Sequence, residues 1–331
     1  MLKRIIEFSL LLLLIIIPSQ AAASNMQAAF IDDILGARAW GMGGAYRTIV
    51  DDASAMIWNP AGLLDIEKRH SIIIEHLELM EFFSYSYLGY AQQLDSGKTL
   101  GGGLYYSGDD LMSEIIGYLS LAVDGTDISE LVAEGFIPEG LINLGLSGKI
   151  FYSSFGANGY DPGLPDYLQG HNVSGNALGF GLDTGLKVKP TTRDHFSLTF
   201  KNLLNRIEWE SENTAGTALG KYSENLPTGM TVGYVRKQER LSFALDIAKS
   251  LYFDVEDNLH LGLEYQLRNE LAVRAGYAQE LVTADNQRFT LGAGINLDIM
   301  SATAVSVNLA YLNFLDWEKH NSILLGVSFD L

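Results

Sequence analysis

Cysteine is absent from this chain of 331 residues. Its absence excludes disulfide bonds, catalytic thiols and zinc sites with thiolate ligands. Basic residues are scarce, because 22 Lys and Arg stand against 40 Asp and Glu and leave a formal net charge of −18. Nucleic-acid binding relies on Lys and Arg to neutralise phosphates, so this charge argues against a nucleic-acid partner.

Long hydrophobic segments are also missing, with one exception near the N-terminus. Residues 8–17 form an almost unbroken apolar run behind Lys3 and Arg4, and small residues follow at 21–23. This arrangement is typical of a secretory signal peptide, and we expect residues 1–23 to be cleaved off. The run is shorter than the roughly 20 residues that a transmembrane helix needs, and no later run is longer. We therefore do not expect the mature chain to cross a membrane with helices.

The sequence instead alternates between apolar and polar residues. In residues 259–268, Leu or Tyr occupies every odd position, whereas Glu264 and Arg268 lie among the even ones. Charged side chains are costly in lipid, so the even face must line a lumen and the odd face must meet the membrane. About fourteen segments show this pattern at the roughly 9–11 residues that a tilted membrane strand needs. We therefore predict an all-β fold, a transmembrane antiparallel β-barrel of about fourteen strands.

The last ten residues end on the same pattern, with Phe329 and Leu331 on the apolar face. An aromatic residue this close to the end of a terminal strand resembles the assembly signal of outer-membrane β-barrels. We therefore expect the barrel-assembly machinery as a partner, and lipids and lipopolysaccharide around the folded barrel.

Connections between the predicted strands alternate in length. The short turns are at 190–193, 237–240, 268–270 and 300–302, and the longer links are at 205–226, 251–258, 280–286, 315–320 and, longest of all, 153–175. Short periplasmic turns and long extracellular loops alternate in this way in outer-membrane barrels, so we expect both termini in the periplasm of a Gram-negative-type bacterium. A capping pair, Asp127 and Glu130, predicts a short helix at 128–134.

Aromatic residues near the predicted strand ends favour a girdle at the membrane interfaces. The residues interpreted in this way are Tyr85, Tyr87, Tyr105, Tyr106, Tyr152, Trp209, Tyr252, Phe253, Tyr311, Phe314 and Trp317.

Residues 24–68 break the alternation and predict a compact plug, because glycines allow close backbone approach. The residues expected to form this hatch are Gly41, Gly43, Gly44, Asp51, Asp52, Trp58, Asn59, Pro60, Ala61 and Gly62. The barrel is then expected to span residues 69–331.

Three stretches of the plug, GMGGA at 41–45, DDASA at 51–55 and WNPAGL at 58–63, resemble the FadL-like outer-membrane transport proteins, and most closely the PorV/PorQ branch. The resemblance implies a fourteen-stranded barrel whose N-terminal hatch folds into the lumen. In the fatty-acid transporters it further implies a kink in the third strand that opens the wall sideways. The predicted third strand contains Gly101, Gly102 and Gly103, which would allow such a lateral opening. A glycine-rich strand packed against a bulky hatch is an equally good interpretation.

Both signs of charge fall on the predicted lumen face. The expected polar network comprises Lys149, Asp183, Lys187, Lys201, Asp246, Glu264, Arg268 and Arg274, and Arg38 and Arg47 of the plug are expected to pair with lumen carboxylates. A network that fills the barrel is the simpler interpretation, and a ligand path is the alternative.

Nothing in the sequence predicts catalysis, a metal site or a cofactor. The six histidines are scattered without a zinc-ligand spacing. His195 and Ser197 share a strand face, but that face is predicted to point inward, away from a lipid substrate. We therefore expect a protein that is not an enzyme.

Two functional hypotheses follow from these patterns and the resemblance. In the first, the hatch gates the passage of hydrophobic small molecules through a FadL-like channel. In the second, the closed barrel is a PorV-like, non-enzymatic component of a type IX-type secretion or surface-attachment system, with secreted proteins as partners. A purely structural barrel is a third interpretation.

Overall fold

The structure is a computed structural model that describes residue 30 and residues 35–79, 83–94, 97–109, 112–127, 138–156, 173–213, 218–251, 257–283, 286–300, 303–315 and 321–331. The predicted signal peptide at 1–23 and the predicted helix at 128–134 lie outside these residues. Among the residues described, no helix has both the length and the apolar character needed to span a membrane.

Strands make up most of the described chain. They are β1 (His70–Leu79), β2 (Phe83–Leu94), β3 (Lys98–Gly108), β4 (Met112–Asp124), β5 (Ile142–Phe155), β6 (Val173–Val188), β7 (Asp194–Asn213), β8 (Ala218–Glu224), β9 (Gly229–Gln238), β10 (Leu241–Ser250), β11 (Asn258–Arg268), β12 (Leu271–Glu280), β13 (Arg288–Met300), β14 (Thr303–Phe314) and β15 (Ser322–Asp330).

Fourteen of these strands form one closed barrel. Antiparallel pairing follows the chain order, β6 pairs with β7, and β1 closes the sheet against β15. The extra strand is β8, which pairs with the part of β7 that lies beyond its contact with β9. The predicted all-β antiparallel barrel of about fourteen strands is confirmed.

Side chains alternate between the two faces of the wall. On β5, Leu146 and Ile150 point outward with 51% and 63% of their surface exposed, whereas Ser147 and Lys149 are buried. The outer surface is therefore rich in exposed Leu, Ile, Val and Phe, and the polar side chains of the strands face the lumen.

The lumen is filled by residues 35–66, which we call the inner segment. It contains helix α1 (Ala37–Gly41), helix α2 (Ala55–Trp58) and a 3₁₀ helix at Pro60–Asp65. Helix α1 packs against β13 and β14, and the 3₁₀ helix packs against β4, β5 and β6. The barrel core consists mainly of the apolar side chains of this segment and the inward residues that they contact.

The two ends of the barrel differ. The turn end holds His70, Leu331 and short connections at 95–97, 189–193, 239–240, 269–270 and 301–302. The opposite end, which we call the loop end, holds the connections 156–172, 251–257, 281–287 and 315–321. The predicted alternation of short and long links holds from β5 onward. Earlier in the chain it does not, since 80–82 and 109–111 at the loop end are short and 125–141 at the turn end is long.

Two predictions for the region around β7 and for the girdle are wrong. Residues 205–226 were expected to form a loop, but most of them belong to β7 and β8. Three residues assigned to the aromatic girdle, Tyr87, Tyr105 and Trp209, are buried inside the barrel. The strands there have aromatic side chains on their inner face, which composition near strand ends cannot distinguish from an outer girdle.

Candidate functional site

Part of the inner segment packs directly against glycines of the barrel wall. Gly145 of β5 and Gly185 of β6 are partners in the ladder, and both face inward. A Cβ on Gly145 would overlap the backbone of Pro60 and Ala61, and a Cβ on Gly185 would overlap the side chain of Asn59. The two glycines thus form a seat for residues 59–61.

A second seat lies on β11 and β12. Gly262 and Gly276 are opposite each other there, and Met42 and Gly43 press against them. Gly43 has a φ of 66°, and a Cβ on it would lie 2.6 Å from the backbone N of Tyr277. Because L side chains rarely adopt that conformation, glycine is required at this position.

Asn59 holds the polypeptide turn that carries the predicted hatch motif. It is fully buried, its Nδ2 donates to the carbonyl of Arg47 at 2.9 Å, and its Oδ1 accepts from the N–H of Ala61 at 3.1 Å. Pro60 follows at the start of the 3₁₀ helix, where a missing N–H costs nothing. Close to it, Gly62 fits against Val50 without room for a Cβ.

Trp58 and Asp52 fix the remaining part of the hatch motif. The buried Trp58 ring meets Tyr46 edge-on at 5.8 Å between centroids, and the guanidinium of Arg47 lies 5.2 Å from the Trp58 ring centre. Asp52 accepts from the N–H of Ser54 at 2.8 Å and from the Tyr46 hydroxyl at 3.2 Å. Burial and the neighbouring Asp51 raise the pKa of Asp52.

One salt-bridge network joins the inner segment to β11 and β12. Glu264 accepts from Arg38 Nε at 3.1 Å and from Arg274 Nε at 2.6 Å. Arg38 also pairs with Asp51, and Arg274 donates through Nη1 to Asn308 at 2.9 Å. Arg38 and Arg274 share the Glu264 carboxylate. The negative charge of this lumen-facing residue is therefore balanced in part by the inner segment, through Arg38.

A second network lies near the turn end. Asp65, the last residue of the 3₁₀ helix, pairs with both Lys187 and Lys189 and accepts from Asn143 Nδ2 at 3.0 Å. Lys187 Nζ also donates to the Val50 carbonyl at 3.0 Å. Burial opposes ionisation of Asp65, but the two lysines outweigh it and hold the pKa of Asp65 below its usual range.

A third network stays within the wall. Lys149 Nζ lies 2.9 Å from Asp183 Oδ1 and donates to Asn202 Oδ1 at 2.6 Å. The backbone N–H of Asn202 donates to the same Asp183 oxygen at 2.7 Å. Asn202 has a φ of 54° and lies in a bulge of β7. The bulge separates the part of β7 that pairs with β9 from the part that pairs with β8. Asparagine tolerates this left-handed conformation better than most residues.

The other predicted lumen residues differ in how deeply they are buried. Asp246 is buried, and its Oδ2 accepts from the N–H groups of Tyr46 and Arg47, both at 3.0 Å. Lys201 is partly buried at the β7 bulge. Arg268 lies exposed at the end of β11, next to a turn, and so stands apart from the networks described above.

Gly101, Gly102 and Gly103 lie in an unbroken part of β3. Pairing with β2 and with β4 passes through all three without a register shift. A Cβ on Gly101 would lie 2.7 Å from Met56 Sδ, and a Cβ on Gly103 would lie 2.9 Å from the Tyr87 hydroxyl. Gly101 and Gly103 thus pack closely against inward side chains, and the described ladder has no register shift at these three positions.

Ser197 and the C-terminal residues have structural contacts. The Ser197 hydroxyl lies 2.6 Å from that of Thr48 in the inner segment, and His195 on the same strand is partly buried. Phe329 lies on β15, which pairs with both β1 and β14, and Leu331 exchanges backbone hydrogen bonds with His70.

Two kinds of contact residue escaped the sequence predictions. The first are the inward glycines of the wall, whose signal was visible as glycine on the polar face of a strand. The second are Glu75 and Glu114, whose side chains accept the N–H groups of Ala37 at 3.0 Å and Phe30 at 2.9 Å. Nothing in the pattern distinguished these carboxylates from exposed ones.

Solved structures with the same fold include a monoaromatic hydrocarbon channel. CymD, described as such a channel, has a TM-score of 0.61 and 15% identity over 91% of this chain and 98% of its own. The Ralstonia pickettii toluene transporter TbuX has a TM-score of 0.59 and 13% identity over 91% and 99%. A Pseudomonas aeruginosa FadL homologue has a TM-score of 0.54 and 13% identity over 88% and 96%.

At such low identities the likeness shows a shared fold. The FadL-like resemblance is therefore supported at the level of the barrel, whereas the PorV/PorQ branch stays a prediction. Neither a scan against protein-family models nor a search of curated proteins finds a match.

Proposed function

We propose that the protein is an outer-membrane channel of FadL type that passes hydrophobic small molecules, with the inner segment as hatch and gate. In this proposal the barrel lies in the outer membrane of a Gram-negative-type bacterium, surrounded by lipids and lipopolysaccharide. The turn end, which holds Leu331, then faces the periplasm, and the strand of Phe329 and Leu331 is the part that the barrel-assembly machinery recognises.

The filled lumen is the observation that carries this proposal. Small barrels of about eight strands are filled by their own side chains, whereas larger ones leave an aqueous channel unless something plugs them. In this fourteen-stranded barrel the plug is the inner segment, held by two glycine seats and by salt bridges from Arg38 and Asp65. In this proposal a solute passes when the inner segment, or the residues packed against it, move aside.

The apolar core of the lumen favours apolar solutes. Transfer of an apolar molecule out of water is favourable, so an apolar solute gains free energy in a lumen with an apolar core. A hydrophilic solute would need a continuous wet path instead. The solved proteins with this fold include channels described for toluene and other monoaromatic hydrocarbons, which supports the same class here.

Uptake measurements in cells test the proposal. A Gram-negative host without its own hydrocarbon channels would express the full chain or a form that lacks residues 36–63, and uptake of ¹⁴C-toluene and ¹⁴C-oleate would be followed. We expect saturable uptake of at least one of them with the full chain, and its loss in the deletion form, which should instead admit hydrophilic antibiotics. Uptake equal to that of the empty host, from a folded barrel in the outer membrane, would contradict the proposal.

The second candidate function is a PorV-like role in secretion or surface attachment. The observation that favours it is the β7–β8 hairpin, which continues past the end of β9 at the loop end and there presents exposed Glu210 and Lys221. A stable complex with secreted proteins, lost when the hairpin is shortened and without an uptake defect, would favour this role over transport.

A further inference from the structure

A pocket of about 530 Å³ opens at the turn end of the wall, beside the turn that joins β9 to β10. We call it the turn-end pocket. The residues that line it are Arg193, Gln238, Glu239, Arg240, Leu241 and Tyr265. All six belong to the wall or to its turns, so the pocket is separate from the glycine seats and from the networks of the lumen.

The strand register places the apolar part of the turn-end pocket on the outer face of the barrel. Leu241 of β10 is the ladder partner of Gln238 on β9 and of Tyr265 on β11. Two residues further along β10, on the same face, Phe243 is the partner of Leu263. Both of these side chains are exposed. The apolar side of the pocket therefore continues into the apolar outer surface of β10 and β11.

Two guanidinium groups at the pocket are not paired with a carboxylate. Arg236, on the outer face of β9, pairs with Asp194 at 3.3 Å. Arg193 and Arg240, in contrast, form no ion pair within the residues that the structure describes. Arg240 donates through Nη1 to the Leu267 carbonyl at 3.4 Å, which leaves its other N–H donors available. The pocket thus offers strong donors to an anion.

The pocket also contains one carboxylate. Glu239 is exposed in the two-residue turn between Gln238 and Leu241. It forms no ion pair with described residues, although Arg193 and Arg240 line the same pocket. The charged groups of the pocket therefore comprise donors for an anionic group and one acceptor for a cationic group, next to an apolar surface.

A phospholipid with a zwitterionic head group matches this combination. Arginine binds phosphate through charge-assisted and often bidentate hydrogen bonds. A primary ammonium can donate to the Glu239 carboxylate, whereas a glycerol head group has no charge to offer it and a quaternary ammonium has no N–H. Acyl chains would gain free energy on the apolar surface of Leu241 and Phe243, from which a free phosphate ion gains nothing.

We propose that the turn-end pocket is a binding site for a phospholipid whose head group carries a phosphate and a primary ammonium, namely phosphatidylethanolamine. Arg193 and Arg240 bind the phosphate, Glu239 accepts from the ammonium, and the acyl chains lie along Leu241 and Phe243. This inference rests on the membrane placement in the proposed function, where the turn end lies at the periplasmic leaflet, and adds a specific lipid site to it.

Native mass spectrometry of the purified barrel in detergent tests the site. Dioleoyl lipids with ethanolamine, glycerol or choline head groups would be titrated separately, and the bound copies counted. We expect one tightly bound copy of phosphatidylethanolamine. Phosphatidylglycerol and phosphatidylcholine should bind at least about threefold more weakly, because neither can donate a charged N–H to Glu239.

Matched variants assign the contacts. R193Q/R240Q should weaken the binding of all three lipids about tenfold, because the phosphate loses its charged donors. E239Q preserves the shape of the side chain and should abolish the preference for phosphatidylethanolamine over phosphatidylglycerol without abolishing binding. R206Q is the control, because it removes an exposed guanidinium from the part of β7 beyond its bulge, and it should leave all three affinities unchanged.

Three results would overturn the proposal. The first is equal binding of the three lipids to the wild type, and the second is binding to R193Q/R240Q as tight as to the wild type. The third is displacement of phosphatidylethanolamine by inorganic phosphate at the same concentration, which would reveal a simple anion site to which acyl chains add nothing.

The lipid site and the channel can fail separately. If phosphatidylethanolamine binds as described but cells take up no hydrophobic solute, the site stands and the channel proposal fails. If cells take up toluene and the three lipids bind alike to wild type and R193Q/R240Q, the channel stands and the turn-end pocket is not a lipid site.

Discussion

Gly145 and Gly185 face each other across β5 and β6, and the inner segment rests on both, with the backbone of Pro60 and Ala61 over Gly145 and the Asn59 side chain over Gly185. No side chain separates the wall from Pro60 and Ala61 at this point. Such contact makes the position sensitive to a single added methyl group, because interiors are packed too closely to absorb it.

Gly145→Ala should destabilise the barrel, because its Cβ would overlap the backbone of Pro60 and Ala61. We expect a loss of about 2 kcal/mol in the free energy of unfolding, in the range of overpacked cores. Gly148 lies on the same strand with 3.7 Å to the nearest atom, the Leu119 carbonyl, so Gly148→Ala should stay within about 0.5 kcal/mol. The midpoints of urea unfolding in detergent would compare the two variants. Equal midpoints would contradict the close packing of Pro60 and Ala61 on Gly145.

Asp65→Asn should destabilise the fold at neutral pH by about 3 kcal/mol, because it leaves the buried Lys187 without its carboxylate. Lys187 and Lys189 lower the pKa of Asp65 in the folded state, so its contribution is complete above the ordinary Asp pKa of about 4. It is lost as the pH falls through the lowered folded value. The difference between wild type and variant should thus shrink below about pH 4.

The control for Asp65 is an ion pair in solvent. Lys221 and Glu210 pair on the β7–β8 hairpin with more than half of each side chain exposed, so Glu210→Gln should cost less than about 1 kcal/mol. A pH-independent difference for Asp65→Asn, or one no larger than the control, would refute the role assigned to Asp65.

Asn59→Asp should destabilise the inner segment although it preserves shape. The carboxylate can still accept from Ala61, but it cannot donate to the Arg47 carbonyl, and it buries a charge without a partner. Loss of a buried hydrogen bond together with that burial should cost about 2 kcal/mol or more. Thermal unfolding in detergent measures this, and a melting temperature like that of the wild type would count against the role of Asn59.

The wall of the barrel could be predicted because lipid imposes a simple rule. In β11, apolar residues at 259, 261, 263, 265 and 267 had to face outward, since Glu264 could not. The structure pairs β11 in that register with β10 and β12. The same rule predicted inward positions for Lys149, Asp183 and Lys187, all of which are buried.

The rule fails at the loop end of β7. At the top of β7 the outward residues include the exposed Glu208 and Glu210, and the apolar Ile207 and Trp209 face inward. Trp209 was assigned to the girdle because it is an aromatic residue near a predicted strand end, and that position does not show which face of the wall the ring lies on. The individual hydrogen-bond partners of the inner segment could not be predicted for another reason, because pairs such as Tyr46 and Asp246 are 200 residues apart.

A reversible cross-link between the inner segment and the wall tests most directly whether that segment is the gate. The chain has no cysteine, and the hydroxyls of Thr48 and Ser197 lie 2.6 Å apart, so T48C/S197C would tie the segment to β7. S113C/S154C is the matched control, because its hydroxyls lie 2.9 Å apart on two wall strands, β4 and β5. We predict that oxidation of T48C/S197C abolishes saturable toluene uptake, that a reductant restores it, and that the control is unaffected. Full uptake through the oxidised T48C/S197C barrel would contradict the account.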